Sequence, residues 1–139
     1  MAHPADIIER FGPLLMAGDL SGLAARYAMP FAVAMGGRQE VVNSVDEAKA
    51  AFAYLYDVMR GRGAERAVSK PVSQIYLDTD LVLATVETEF ADANDKRIDR
   101  TSATYLLRAT DDDWRILTVT VDQPIRDVTG LCLPTQEAA

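Results

Sequence analysis

Leu81-Val82-Leu83-Ala84-Thr85-Val86-Glu87-Thr88-Glu89-Phe90-Ala91 and, after the turn residues Asp92-Ala93-Asn94-Asp95, Ile98-Asp99-Arg100-Thr101-Ser102-Ala103-Thr104-Tyr105-Leu106-Leu107-Arg108-Ala109 decide the architecture. Successive side chains of a strand point to opposite faces. In the first stretch Val82, Ala84, Val86, Thr88 and Phe90 oppose Leu83, Thr85, Glu87 and Glu89. In the second, Thr101, Ala103, Tyr105, Leu107 and Ala109 oppose Arg100, Ser102, Thr104 and Arg108. The first-named face of each is the one expected beneath helices. Similar Val-, Thr-, Ile- and Leu-rich runs at 68–77 and 114–122 read as flanking strands. Asp78-Thr79-Asp80 and Asp111-Asp112-Asp113 supply the remaining turns. Connections this short imply antiparallel pairing. In the last strand, alternation puts Trp114, Ile116, Thr118, Thr120 and Asp122 on one side and Leu117, Val119 and Val121 on the other.

Upstream, the pattern changes to a helical one. Pro4 suits a first helical turn, and Ile7, Ile8, Phe11, Leu14 and Leu15 form one apolar stripe. Gly12-Pro13 predicts a kink or two short helices, because the proline ring collides with a carbonyl one turn back. Asp19 can cap a second helix that carries Leu20, Leu23, Ala24 and Tyr27 inward and stops before Pro30. Phe31–Met35 and Gln39–Val42 read as a hairpin around Gly36-Gly37, two residues free to take positive φ. Ser44 and Glu47 form a capping box before a longer helix that presents Val45, Ala48, Phe52, Leu55, Tyr56 and Met59 on one face. The expected order is α-α-β-β-α-β-β-β-β. It forms a single α+β domain over residues 1–139, with a core at about 4–122 and a C-terminal tail over 123–139.

Composition narrows the functions available. The chain of 139 residues is 49% apolar and 25% charged, which predicts a packed core without disulfide or metal staples. A net charge of −7 opposes the phosphate neutralisation that nucleic-acid binding requires. Cys132 is the only cysteine and His3 the only histidine, so neither a disulfide nor the usual transition-metal shell is expected. No signal peptide or membrane span is predicted, and the sequence reads as a cytoplasmic protein without a cofactor.

Within this order, Ala17-Gly18-Asp19-Leu20-Ser21-Gly22-Leu23-Ala24-Ala25-Arg26-Tyr27-Ala28 resembles the nuclear-transport-factor-2-like superfamily. That group includes ketosteroid isomerases and SnoaL-like polyketide cyclases. The resemblance covers roughly residues 4–122 and implies a cystatin-like cone, with helices closed into a strongly curved mixed or antiparallel sheet. It further implies a mouth that admits a small apolar ligand and a homodimer formed through the outer sheet face. A ketosteroid isomerase carries a Tyr where this chain has Phe11. Its Asp base falls in the stretch that here reads Ala32-Val33-Ala34-Met35, and its protonated Asp donor falls near Tyr105. With base and first donor replaced, isomerase activity of that type is not expected.

The ligand pocket expected from strand parity and this resemblance is lined by Phe11, Tyr56, Val86, Thr88, Phe90, Tyr105 and Thr120. Asp122, on the side of Thr118 and Thr120 that matches the pocket side of the resembling enzymes, would be the general base. A carboxylate beside an apolar cone has a raised pKa. Tyr105 would donate a hydrogen bond to a carbonyl-containing substrate undergoing isomerisation, cyclisation or dehydration. The alternative is a non-catalytic module that binds a ligand or a partner protein. The outward side of the last strand, Leu117, Val119 and Val121, is the expected dimer contact.

Overall fold

The protein's structure, a computed structural model, describes residues 3–111 and 113–124. Gly12-Pro13 does divide the first helix: α1 spans Pro4–Ile8 and α2 spans Phe11–Met16. Helix α3 is Leu20–Ala24, capped by Asp19, whose carboxylate accepts from Gly22 N–H at 3.0 Å. Strands β1 (Tyr27–Met35) and β2 (Arg38–Val42) turn through Gly36 and Gly37, both at positive φ. Helix α4 (Val45–Gly61) begins at Ser44, whose hydroxyl accepts from Glu47 N–H at 3.2 Å; the Glu47 carboxylate in turn accepts from Asn43 N–H at 3.0 Å. Strands β3 (Arg66–Asp78), β4 (Leu81–Ala91), β5 (Arg97–Ala109) and β6 (Trp114–Gln123) complete the chain order.

The six strands form one open mixed sheet in the order β2-β1-β6-β5-β4-β3, parallel only between β1 and β6. All helices pack on one face, where Val82, Ala84, Val86, Thr88 and Phe90 of β4 are buried beside Thr101, Ala103, Tyr105 and Leu107 of β5. Helices α1 and α2 lie over β3 and β4. Their approach is close at Gly12, whose N–H donates to Ser69 Oγ at 2.9 Å; a Cβ there would stand 3.0 Å from that of Ala67. Ser69 Oγ also meets Thr88 Oγ1 at 2.7 Å, so the two buried hydroxyls and the helix amide satisfy one another. No described helix is long and apolar enough to cross a membrane.

Two sequence expectations are overturned. Tyr27 does not extend α3; it opens β1, because pairing with Ile116 and the Ile116 N–H···O=C Arg26 hydrogen bond at 2.9 Å claim this backbone for the sheet. In β6 the simple alternation fails. Leu106 pairs with Thr118 but Leu107 pairs with Ile116, so Leu117 is an extra, bulged residue. A bulge of one residue reverses the faces beyond it. Val119 and Val121 therefore turn inward, while Thr118 and Thr120 take the outer side. A second irregularity, between Ser102↔Gln123 and Ala103↔Val121, leaves Asp122 without a ladder partner.

Candidate functional site

The concave face leaves a cavity of about 60 Å³ between the sheet and helices α2 and α4. Strand β1 contributes Tyr27, Phe31, Val33 and Met35; β5 contributes Thr101, Ala103 and Tyr105; and β6 contributes Val119 and Val121. Phe11 of α2 and Phe52 and Leu55 of α4 close it. Tyr27 stacks obliquely on Phe31 at 4.4 Å and on Phe52 at 5.4 Å between ring centroids, which joins α4 to β1. Phe11 and Val121 are half-buried and form the rim.

Only three lining side chains carry a polar atom, and none is charged. Thr101 Oγ1 gives its hydrogen to the Gln123 carbonyl at 2.7 Å. Tyr27 and Tyr105 supply the other two, one phenol from β1 and one from β5. Burial raises the pKa of both phenols, and for Tyr27 the proximity of Tyr105 raises it further. Both are neutral donors across the physiological range.

Of the residues expected at the pocket, the structure brings Phe11 and Tyr105 together. Val86, Thr88 and Phe90 have the correct inward parity but lie under α1 and α2, where Gly12 and Ser69 fill the space above them. Tyr56 is half-buried against Gly18. Thr120 is exposed, in a shallow surface hollow beside the β1–β2 turn. Asp122 is exposed and accepts a hydrogen bond from Ser102 Oγ at 3.0 Å, so the general-base position assigned to it is not on the cavity. The reason is the bulge at Leu117, which moves the Thr118–Thr120 side of β6 outward. His3 caps α1, its Nδ1 accepting from Ala5 N–H at 3.3 Å. Cys132 lies outside the described residues. Among the described residues, no three His, Cys, Asp or Glu side chains gather as a metal site. Ten of the twelve lining residues escaped sequence reasoning, among them Tyr27. Its position just before Pro30 at the end of a helical pattern concealed that it begins a strand.

A family model described as NTF2-like protein (DUF6841) matches residues 5–124, most of the chain. The chain belongs to this NTF2-like family. Solved structures agree on the fold. A domain of unknown function with a cystatin-like fold from Nostoc punctiforme superposes with a TM-score of 0.69 at 13% identity, over 86% of this chain and 74% of that one. An NTF2-like protein from Novosphingobium aromaticivorans reaches 0.65 at 14%, over 91% and 81%. An NTF2-like protein of unknown function from Shewanella oneidensis gives 0.65 at 16%, over 84% and 93%. Identities this low establish shared architecture and not shared chemistry. No curated protein sequence matches the chain. At the cavity β1 presents the aliphatic side chains Val33 and Met35 beside Tyr27 and Phe31.

Proposed function

We propose that this NTF2-like protein binds a small apolar molecule in the concave cavity and does not act on it by general-base catalysis. The observation that carries the reading is the lining itself: aromatic and aliphatic walls, two phenols, and no carboxylate or imidazole among the described lining residues. Proton abstraction needs a base within hydrogen-bond reach of the substrate. Asp122 does not supply one from the outer side of β6. Filling the cavity tests the reading. Ala103→Phe places a ring in the space, and overpacking of this kind costs about 1–3 kcal/mol, which a typical domain tolerates. Native mass spectrometry of the purified protein is expected to find a small bound molecule that disappears in the folded Ala103→Phe variant. Equal ligand occupancy in both proteins would contradict the proposal.

A second reading, homodimerisation through the outer sheet face, keeps a specific motive although Val119 and Val121 no longer contribute to it. Ile75 pairs with Leu83, Leu83 with Leu106 and Leu106 with Thr118, an apolar row across the face that no helix covers. Ile75 is 54% exposed. Apolar rows of this kind mark contact surfaces. Sedimentation is expected to give a dimer at micromolar protein and a monomer for Leu106→Glu; a concentration-independent monomer for the unaltered chain would dismiss it.

A further inference from the structure

The apolar cavity does not end at its rim. Met35 and Val121 line both this chamber of about 60 Å³ and the shallow hollow of about 290 Å³ beside the β1–β2 turn. Val121 is half-buried, and a methionine side chain is unbranched and adaptable, so the boundary between the two spaces is a soft one. The hollow differs in chemistry from the chamber. Arg38 is the one charged side chain among its described lining residues, and the Gln39 amide and Thr120 hydroxyl stand with it. Arg38 is exposed at the start of β2, paired across the hairpin with Met35. Among the described residues no ion pair or side-chain hydrogen bond engages its guanidinium. Glu40, the next residue of β2 on the same side of the sheet, is buried and forms no ion pair with it.

We propose that the ligand is a slender aliphatic carboxylic acid, with its hydrocarbon end in the apolar chamber and its carboxylate in the hollow against Arg38. The proposal rests on the cavity being a ligand site, as argued above. The chamber itself does not accept the charge, because no cation lines it and burying an unpaired carboxylate is heavily penalised. The hollow does accept it: the site stays open to water, and a planar guanidinium matches two carboxylate oxygens. The Gln39 amide and the Thr120 hydroxyl bring further donors to the same place. A chamber of about 60 Å³ holds only a few carbons of a chain, so the remainder crosses Met35 and Val121 toward Arg38. An alcohol of equal length keeps the chamber contacts and loses the charge pairing. An amine of equal length sets a like charge beside the guanidinium.

Three probes of one length test this on the full chain: hexanoate, 1-hexanol and hexylamine, titrated by NMR at about 0.15 M salt, where the long-range field of the net charge is damped. Hexanoate is expected to bind on the order of fivefold more tightly than 1-hexanol, the scale of a partly exposed ion pair, and hexylamine more weakly than either. The Arg38 Nε–H resonance should move with hexanoate and stay in place with the alcohol. Arg38→Gln should abolish the preference for the acid while leaving 1-hexanol affinity unchanged, which also reports an intact chamber in that variant. Ala103→Phe should weaken all three probes. Equal affinity for acid and alcohol in the unaltered protein would overturn the acid inference and leave the cavity reading in place. Tightest binding of the amine, or an acid preference that survives Arg38→Gln, would overturn it as well. Hexanoate binding undiminished in Ala103→Phe would show adsorption at Arg38 without use of the chamber, and would also overturn it. Binding of none of the three would remove both readings together.

Discussion

Above about pH 10 the protein is expected to lose stability steeply, by about 2.7 kcal/mol for each further pH unit from two residues alone. In the unfolded chain Tyr27 and Tyr105 ionise near 10, the ordinary phenol value. In the folded protein burial raises both, and for Tyr27 the neighbouring Tyr105 adds to the shift. The sign follows from proton counting: above pH 10 the folded state retains protons that the unfolded state has released, so rising pH favours unfolding. The contribution is fully present below pH 10 and drains away as pH climbs toward the raised folded values. Each phenol supplies about 1.4 kcal/mol per unit, and typical stabilities are about 5–15 kcal/mol, so one to two units of pH consume a large part of the total. Denaturant midpoints measured between pH 8 and about 12 give the slope. Tyr105→Phe should remove about half of the difference, and Tyr27→Phe/Tyr105→Phe should leave only the background from the other titrating groups. Identical slopes in parent and double variant would show that burial does not hold the two phenols neutral.

The parts of this fold that are legible in the sequence are those specified by neighbours along the chain. Ser44 and Glu47 start α4, Gly36 and Gly37 make the hairpin, and Gly12-Pro13 separates α1 from α2, each through contacts a few residues apart. Strands β4 and β5 also follow their alternation faithfully, because both are paired on two sides and keep one register over most of their length. What is not legible depends on distant partners. The bulge at Leu117 is set by how β6 must pair simultaneously with β5 and, in parallel, with β1, whose own register shifts between Tyr27 and Ala32. Nothing local to Leu117-Thr118-Val119 announces it. One extra residue there exchanges Asp122 and Thr120 for Val119 and Val121 at the cavity, and with that exchange a site expected to hold a carboxylate becomes an apolar one. Tyr27 was hidden for a related reason, since its helical spacing from Leu20 and Leu23 loses to pairing with Ile116.

Phe90→Ala is expected to lower unfolding free energy by about 3–5 kcal/mol and to leave ligand affinity unchanged in the protein that remains folded. Phe90 and Tyr105 are both aromatic, both inward on adjacent strands, and indistinguishable by sequence pattern as pocket residues. Their surroundings separate them. Phe90 is wholly buried, on the part of β4 over which α1 and α2 pack, so truncation leaves a void that the sheet beneath cannot collapse to fill. Tyr105 adjoins space that already exists, and the change to Phe removes a single hydroxyl at its edge. Tyr105→Phe should therefore shift stability at neutral pH by no more than about 1 kcal/mol in either direction. Urea unfolding of the two variants at pH 7 makes the comparison directly. If Phe90 lined the ligand chamber, its removal would enlarge that chamber, cost nearer the lower limit and alter the size of ligand accepted. A small loss for Phe90→Ala, joined to a changed preference among ligands, would move the site from the β1–β5–β6 side of the sheet to the ground beneath α2. A large loss with unaltered preference would mark Phe90 as core, apart from the cavity bounded by β1, β5 and β6.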